Sequence, residues 1–349
     1  MKIPADQLQA FTLAILRASG SDPAEAEEVA AHLIGANLAG HDSHGVVMLD
    51  AYRHNLTTGT LRPNATAEII LENNNFAVWD GANAYGQVVA RQAMQWAIAA
   101  AQTHGVAIHA LRNTHHIGRV GTYGEMAAAA GLLSISFVNG HSGPPRVTPY
   151  GGREGRFSTN PICIAVPGTA TNPPVILDMA TSRIALGKVK VAHNAGKQVI
   201  EGALIDHEGH PTTDPAVIYT DPRGAVLPFG EHKGYGLAMI CELLAGAIGG
   251  AGVIHSATMP DRGIVNGWLT FVLDPQRLAA GPMIAAETDA LIAWVRSTPP
   301  ADPEAPVLLA GEPERIARAK RRAEGIEIDD TTLAQLRAHA TALGVNTQL

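Results

Sequence analysis

The chain has 349 residues, of which 46% are hydrophobic and 16% are charged, and its formal net charge is −7. This composition is typical of a globular protein with a large core and excludes a disordered chain. The negative charge argues against a nucleic-acid-binding protein, which normally carries a basic face. Two cysteines, Cys163 and Cys241, lie inside apolar runs, so we expect buried free thiols in a reducing compartment.

The sequence also bears on targeting and on membranes. Met1 leads directly into a periodic segment, which indicates that there is no secretory leader. The longest apolar stretch, residues 237–254, contains Glu242 and several glycines, and a membrane span tolerates a carboxylate poorly. We therefore expect a cytoplasmic protein with no membrane association.

The first third of the chain is predicted to be helical. Asp22-Pro23-Ala24-Glu25 has the form of a capping box, and the helix that it begins is expected to stop at Gly40. The polar cluster His41-Asp42-Ser43-His44-Gly45 follows at that helix end. A second helix is predicted over residues 46–56, with Val46, Leu49, Tyr52 and Arg53 on one face.

Strands and helices alternate from about residue 65 of the sequence. Strands are predicted over residues 69–71, 77–79, 106–111, 132–138, 163–166 and 175–177, and residues 268–273 are expected to close the sheet. Helices are predicted over residues 87–103, 121–130 and 235–248, and another is expected to begin at Ser182. Such alternation predicts a mixed α/β layer architecture.

The C-terminal part returns to helices, over residues 286–296, 313–324 and 331–343. Because helices stand at both ends, we expect the termini to pack together. The predicted organisation is a helical, substrate-side domain of residues 1–65 plus 285–349 and an α/β domain of residues 66–284.

Histidines are concentrated in two short loops. Of the 15 histidines, His41 and His44 share one loop, and His115 and His116 share another. Imidazole titrates near neutrality and suits proton transfer. A single histidine is more often half-buried and structural, but two clusters in Gly-flanked polar loops favour chemistry. The rival hypothesis is a hydrolase or lyase with a metal held by His41, His44 and His116. A fourth ligand is not evident, and we expect no metal.

Other polar segments offer corners for an anionic ligand. Thr159 and Asn160 lie in a turn-forming run that either only turns the chain or supplies hydrogen bonds to a ligand. The segment Asp178-Met179-Ala180-Thr181-Ser182 follows a predicted strand and precedes the predicted helix that carries Lys188, and His232-Lys233-Gly234 precedes another helix. Helix N-termini favour anions. No Gly-x-Gly-x-x-Gly follows a strand, so a dinucleotide is not held by the common fingerprint turn.

Seven ordered blocks resemble the signature blocks of the type-2 malate/L-lactate dehydrogenase family, which includes sulfolactate, ureidoglycolate and diketogulonate dehydrogenases and cyclic imino acid reductases. The resemblance extends over about residues 5–345, and the blocks read Asp42-Ser43-His44-Gly45, Thr114-His115-His116-Ile117-Gly118, Ser158-Thr159-Asn160-Pro161, Asp178-Met179-Ala180-Thr181-Ser182, Gly187-Lys188, Pro211-Thr212-Thr213-Asp214-Pro215 and His232-Lys233-Gly234-Tyr235-Gly236. Ala36-Asn37-Leu38-Ala39-Gly40-His41 and the doubled histidine resemble the hydroxycarboxylate dehydrogenase branch.

The resemblance implies a fold, a cofactor and site residues. The fold is a non-Rossmann NAD(P)-binding mixed sheet, and the assembly is a homodimer with the site between the helical part and the sheet domain. His44 and His116 match the acid/base histidines, and Ser43 and Asn160 match substrate-side loops. The cofactor stretches match Ile176, Asp178, Met179, Ala180, Thr181, Ser182, His232, Lys233, Gly311, Glu312 and Pro313, to which we add Lys188 and Gly234.

The expected reaction interconverts small 2-oxo acids and 2-hydroxy acids. NAD or NADP supplies or accepts the hydride, and a histidine moves the proton. The residues leave open which of His44 and His116 is the donor. A cyclic imino acid reductase, which acts on C=N instead, is the nearest alternative, and a non-catalytic binding protein is a more distant one.

The sequence departs from the family at one consequential position. Many members carry an arginine four residues after the histidine that corresponds to His44, where it clamps the substrate carboxylate. This chain has Met48 at that position. A carboxylate still needs a cation. Arg119 is the leading replacement, followed by Arg53 and Arg146. The apolar Met48 also predicts room for a bulkier 2-oxo acid than oxaloacetate.

Overall fold

A computed structural model describes residues 1–194, 196–255, 263–345 and 349, and for Ser142 only the backbone. The N-terminal part forms β1 (Lys2–Ile3), α1 (Ala5–Ala18), α2 (Pro23–Leu38), a 3₁₀ turn (Asp42–His44) and α3 (Met48–Thr57). The N-cap of the predicted box is confirmed: the Asp22 carboxylate accepts the Glu25 backbone N–H at 2.8 Å, and Pro23 is the first helical residue. The reciprocal bond of the box is replaced, because the Asp22 N–H donates to Asn64 Oδ1 at 2.7 Å. Local chemistry thus determines where α2 begins.

The middle of the chain supplies most of the sheet. It forms β2 (Glu68–Glu72), β3 (Phe76–Asp80), α4 (Gly86–His104), β4 (Val106–Thr114), α5 (Gly121–Ala129), β5 (Leu133–Ser142), β6 (Ile162–Val166) and β7 (Val175–Met179). Each of these strands and helices was predicted, and most extend a few residues further than the pattern indicated. Gly105 closes α4 in the left-handed conformation, at φ 87°, as glycine does at many helix ends.

The remaining elements include a second, small sheet and the C-terminal helices. They are α6 (Leu186–Asn194), β8 (Leu204–Ile205), β9 (Pro211–Thr212), β10 (Ala225–Val226), α7 (His232–Cys241), a π-helix (Glu242–Ile248), β11 (Ile264–Leu273), α8 (Gly281–Arg296), α9 (Glu312–Glu324), β12 (Ile326–Glu327) and α10 (Asp330–Ala342). No helix among the described residues is both long and apolar enough to span a membrane.

The main sheet has seven strands in the order β2-β3-β4-β11-β5-β6-β7. β3 and β4 are parallel and are joined by α4, and the other neighbouring strands are antiparallel. The expectation that residues 268–273 close the sheet is wrong, because β11 lies at its centre, between β4 and β5. The physical reason is burial: β11 is covered on both faces and Trp268 is fully buried, which is typical of a central strand.

The two termini share one apolar cluster. It joins Ile3, Leu33 and Tyr52 from the N-terminal part to Ile326 and Leu336 from the C-terminal part, and β1 pairs with β12. A second cluster lies between the main sheet, α4 and α5. Packing of the termini against each other was expected from the helices at both ends of the sequence.

The predicted helix start at Ser182 is wrong. Ser182 forms an antiparallel bridge with Pro228, Arg183 donates its N–H to the Leu227 carbonyl at 2.9 Å, and α6 begins only at Leu186. The backbone around Ser182 is therefore committed to extended pairing. The anion corner expected at a helix N-terminus does not form at this residue.

His109 of β4 is a fully buried histidine between two tryptophans. Its ring centroid lies 4.8 Å from that of Trp79 and 5.6 Å from that of Trp96. Burial lowers its pKa to about 3, whereas an unfolded histidine titrates near pH 6.5. Above pH 6.5 the imidazole is neutral in both states. Between pH 6.5 and 3, His109 is protonated in the unfolded chain but stays neutral in the folded chain. The free energy of unfolding therefore decreases as the pH is lowered through this range.

We therefore expect His109→Phe to reduce the acid sensitivity of folding. Below pH 6.5 the parent should lose up to about 1.4 kcal/mol of unfolding free energy for each pH unit through His109, and the variant should lack this loss. Urea unfolding at pH 7 and pH 5, at one protein concentration, measures it. His207→Gln, at an exposed position, is the control. A shift that does not depend on pH would contradict the assignment.

Candidate active site

The two histidine loops predicted from the sequence lie against each other. The rings of His44 and His116 are stacked, with centroids 5.5 Å apart and planes 18° apart. The end of α2 holds the first loop, because the Asn37 amide donates to the Asp42 carboxylate at 2.7 Å and accepts the Val46 N–H at 2.9 Å. Arg321 of α9 makes two bonds to the same carboxylate, at 2.6 and 2.9 Å. A helix from each end of the chain thus fixes the position of His44.

His116 is anchored through a buried tyrosine. The hydroxyl of Tyr52 lies 2.8 Å from His116 Nδ1, and Gln87 Nε2 donates to the Tyr52 oxygen at 2.6 Å. A phenol hydroxyl can donate to a ring nitrogen or accept from it, so Tyr52 can bond His116 Nδ1 whether or not that nitrogen carries a proton. Nδ1 is therefore occupied, and Nε2 is the nitrogen left for proton transfer. This bond fixes the orientation of the His116 ring.

Sequence reasoning did not identify Tyr52 and Gln87 as site residues. Tyr52 was placed on the apolar face of α3, where it does pack, and Gln87 was seen only as a helix residue. The signal that was available is that a buried tyrosine hydroxyl needs a partner. The neighbouring His115 is held differently, since its Nε2 lies 2.7 Å from Asn55 Nδ2. Its role in the fold is therefore distinct from that of His116.

Both stacked imidazoles are neutral at pH 7. Desolvation, with smaller repulsion from His41 and Arg119, lowers the pKa of His44 to about 4. The pKa of His116 is lowered well below its ordinary value, mainly by desolvation and then by His44. His44 is also tied to its neighbour, because its Nδ1 lies 3.0 Å from Ser43 Oγ. Both rings are therefore unprotonated at pH 7 unless an anion beside them stabilises the charged form.

The residues proposed to hold a substrate carboxylate lie in different places. Arg119 is 2% exposed, and its guanidinium is engaged with two carboxylates: Nη1 bonds Glu125 at 2.8 Å, and Nε lies 3.4 Å from Asp178. Arg53 is exposed on α3, 4.0 Å from Asp50. Met48, the first residue of α3, is half-buried against the cluster of the two termini. Arg119 in this arrangement already has its counter-charges.

Three predicted blocks converge beside Asn160. Thr181 donates its N–H to the Thr159 carbonyl at 3.0 Å and its hydroxyl to the Asn160 carbonyl at 3.0 Å. Thr181 in turn accepts the N–H of Phe229 at 3.1 Å. A Cβ on Gly234 would lie 2.8 Å from the Thr181 carbonyl oxygen, so only glycine fits there. The substrate-side turn and two predicted cofactor stretches therefore share one set of backbone bonds.

Two further cofactor stretches meet at the start of α9. Ile176 donates its N–H to the Ala310 carbonyl at 3.1 Å, and Gly311 has a φ of 89°. Glu312 accepts the Leu309 N–H at 2.7 Å and bonds Arg296 at 2.5 Å. A cavity of about 560 Å³ opens beside them and is lined by Arg296, Thr298, Pro300, Pro306, Val307, Leu308, Glu312, Arg315 and Ile316.

The other predicted cofactor residues are distributed along these segments. Asp178 accepts the Gly121 N–H at 2.8 Å, Met179 and Ala180 are half-buried, and Ser182 is buried. The side chains of Lys188, His232, Lys233 and Pro313 are exposed. The first turn of α6 approaches the His44 loop closely, because a Cβ on Gly187 would lie 2.0 Å from Ser43 Cβ.

The metal hypothesis fits this geometry poorly. The group of three candidate ligands that the described residues bring together is Asp206, Glu208 and His210, on an exposed turn. His41, a ligand of the rival hypothesis, instead has its Nε2 3.1 Å from Glu314. The imidazoles of His44 and His116 are stacked face to face.

Comparison with known proteins gives the family. The family model for malate/L-lactate dehydrogenase matches residues 3–337. The chain belongs to this family. The hydroxycarboxylate dehydrogenase B of Escherichia coli K12 is 44% identical over 331 residues, which cover 94% of this chain and 90% of the relative. This chain's curated relatives are named hydroxycarboxylate, lactate, sulfolactate and malate dehydrogenases, so the chain is an enzyme of an oxidoreductase family, and membership implies a nicotinamide cofactor.

Two solved structures extend the comparison. One, from E. coli and called a malate/lactate dehydrogenase, is 42% identical, has a TM-score of 0.94 and covers 99% of this chain and 96% of its own. The other is the delta1-piperideine-2-carboxylate reductase of Pseudomonas syringae pvar. tomato. It is 30% identical, has a TM-score of 0.83 and covers 97% of this chain and 100% of its own. The mixed α/β fold is common to both.

Proposed function

We propose that this protein interconverts 2-oxo acids and 2-hydroxy acids by hydride transfer, with His116 as the acid/base. The observation that carries the assignment is the Gln87–Tyr52–His116 hydrogen-bond chain, with distances of 2.6 and 2.8 Å. A general acid must hold one nitrogen fixed and present the other to the substrate oxygen. His116 does so through Nδ1. His44 is bonded to Ser43, and its ring stacks on that of His116.

Protonation follows the charge of the substrate. At rest His44 and His116 are neutral because burial lowers the pKa of each, and a neutral imidazole accepts the proton of a 2-hydroxy acid. In the reductive direction the anionic 2-oxo acid stabilises an imidazolium beside it, so substrate and proton bind together. His116 then donates from Nε2 to the developing alkoxide, and its positive charge stabilises that oxyanion.

The residues present fit a nicotinamide dinucleotide. The cofactor supplies or accepts the hydride when it is bound. The cavity beside Gly311 has the size of a small-molecule site. Arg296 and Arg315 suit phosphate oxygens, and Glu312 suits ribose hydroxyls. Binding without the Rossmann turn agrees with a sheet in which β3 and β4 are its parallel pair. NAD and NADP both remain candidates.

The preferred substrate is a 2-oxo acid with one carboxylate and an apolar side chain. Met48 stands where many family members carry the clamping arginine, and the Arg119 guanidinium is engaged by Glu125 and Asp178. A second substrate carboxylate, as in oxaloacetate, would need a further cation. The carboxylate that every 2-oxo acid carries next to its carbonyl binds near the His44 and His116 rings. One of these rings, once protonated, provides the positive charge that this carboxylate needs.

A cyclic imino acid is the second candidate substrate. The likeness to the piperideine carboxylate reductase structure favours it, and the same proton and hydride would go to C=N. The decisive assay follows NADH and NADPH oxidation with phenylpyruvate, pyruvate, 2-oxoglutarate, oxaloacetate and a cyclic imino acid. We expect the highest kcat/KM with phenylpyruvate, unchanged after chelation. A clear preference for the imino acid would replace the proposal, and no turnover at all would refute it.

We further propose that the chain works as a homodimer. The helix that runs from α7 into the π-helix exposes Met239, Ile240, Leu243 and Ile248, with exposed fractions of 44, 43, 41 and 72%. Such a run of exposed apolar residues is typical of an interface. Light scattering should give twice the chain mass, and Leu243→Lys should shift it towards one chain mass. Parent protein that scatters as a single chain would contradict the dimer.

A further inference from the structure

Glu242 is a buried carboxylate that the proposed reaction does not use. It is the first residue of the π-helix that continues α7, and it is 5% exposed. Its Oε2 accepts Asn160 Nδ2 at 2.7 Å, and its Oε1 accepts the Ile254 N–H at 2.6 Å and Asn139 Nδ2 at 3.3 Å. π-Helical turns occur frequently at functional sites, and here the turn brings a carboxylate under the substrate-side loop.

The first arm of this network holds Asn160. Besides its bond to Glu242, the Asn160 amide donates to the Ala238 carbonyl at 3.2 Å and accepts the Gly140 N–H at 3.3 Å. Its φ is +21°, in the left-handed region that non-glycine residues rarely adopt. This conformation directs the Asn160 carbonyl to the Thr181 hydroxyl, 3.0 Å away. Glu242 thus supports the junction between the substrate-side turn and the Thr181 stretch.

The second arm reaches the acid/base histidine. Asn139, bonded to Glu242, accepts the Gly267 N–H at 3.2 Å with its side chain, and its carbonyl accepts Asn266 Nδ2 at 3.3 Å. The other end of the Asn266 side chain accepts the Ile117 N–H at 3.0 Å. Ile117 follows His116 directly, so this bond fixes the backbone that carries the imidazole.

The energetics favour a positioning role over a stabilising one. The groups that hold Glu242 in the described part of the chain are three amides and the His141 imidazole, whose Nε2 lies 4.0 Å from Oε1. Burying a carboxylate costs more than burying an apolar side chain of similar size. An apolar residue would therefore fill this place at lower cost, but it would remove the carboxylate that Asn160 and Asn139 share, leaving their amides only separate partners such as the Ala238 and Gly252 carbonyls.

We propose that Glu242 is a positioning residue that fixes the Asn160–Thr181 junction and the His116 backbone relative to each other. The expected effect on catalysis rests on the proposed function. The placement of the Asn160–Thr181 junction and of the His116 backbone rests on hydrogen bonds alone. Hydride transfer is sensitive to such placement, since a displacement of about 1 Å costs roughly 10²-fold in rate.

Glu242→Gln tests the proposal with little change in shape. The new NH2 group must face either the Asn160 amide or the Ile254 and Asn139 donors, so in both orientations two donors meet where a donor and an acceptor met. Glu25→Gln is the matched control, because Glu25 is also buried, at 6% exposure, and accepts a backbone N–H, that of Asn64 at 2.8 Å. Both variants are compared at temperatures equally far below their own melting temperatures, which removes a general loss of stability from the comparison.

Two readouts separate the outcomes. We expect Glu242→Gln to lower kcat by about ten- to a hundredfold with a larger isotope effect from 4-deuterated NAD(P)H, and to speed hydrogen exchange at the Ile117 amide by about tenfold. Glu25→Gln should change neither. If Glu242→Gln alters only the melting temperature, the proposal is overturned. If the parent enzyme shows no turnover, the proposed function fails, and the Ile117 exchange rate still decides the positioning claim.

Discussion

Replacing His116 by alanine is expected to lower kcat/KM for 2-oxo acid reduction by about 10²- to 10⁴-fold, the usual contribution of a general acid. The reason is geometric: the Tyr52 hydroxyl, 2.8 Å from Nδ1, leaves Nε2 as the proton donor. His44→Ala should instead raise KM and change kcat less, because His44 is held through Ser43 and contributes to binding the carboxylate. Steady-state kinetics of both variants separate the effect on kcat from the effect on KM.

Tyr52→Phe is the graded control for this assignment. It removes the bond to His116 while keeping the ring that packs in the cluster of the two termini, and it leaves the Gln87 amide without its acceptor. We expect an intermediate loss of kcat, smaller than that of His116→Ala. If His44→Ala abolishes turnover while His116→Ala mainly raises KM, the roles of the two histidines are reversed.

Met48→Arg is expected to change the substrate preference. An arginine at the first residue of α3 restores the cation that many family members have four residues after the first histidine. A bidentate guanidinium–carboxylate pair is a strong, charge-assisted contact, and a site built around such a contact discriminates strongly against substrates that lack it. The ratio of kcat/KM for oxaloacetate to that for phenylpyruvate should rise by about 10²-fold, allowing about 3 kcal/mol for such a bond.

The control for this variant keeps the side chain apolar. Met48→Leu preserves the packing on the cluster of the two termini and adds no charge, so the substrate ratio should stay near that of the parent. A parent enzyme that already prefers oxaloacetate would contradict the role given to Met48. An unchanged ratio in Met48→Arg would show that the carboxylate is bound elsewhere.

Local signals were sufficient for most of the fold. Asp22 and Pro23 determine the start of α2, Gly105 determines the end of α4, and apolar periodicity identifies the strands, because these features act within a few residues. The place of β11 in the sheet could not be derived in this way. It depends on pairing with both β4 and β5, strands that are far away in sequence.

The candidate site shows the same division. His44 and His116 were identified from their loops and motifs, and the structure stacks them. The residues that position them were missed because their partners are distant: Tyr52 lies 64 residues from His116, and Asn160 lies 82 residues from Glu242. The Ser182 prediction failed for a related reason, since its pairing with Pro228 replaced the expected helix turn. Long-range hydrogen bonds override local propensity.

The most direct test of the proposed reaction follows the hydride itself. Purified protein is given 4-deuterated NADH or NADPH, of each stereochemistry, together with phenylpyruvate, and the product is analysed by mass spectrometry and proton NMR. We predict that one stereoisomer of the cofactor delivers a single deuterium to C2 of the 2-hydroxy acid, and that His116→Ala suppresses the transfer. Product without deuterium at C2 from either isomer, or no product at all, would contradict hydride transfer to a 2-oxo acid.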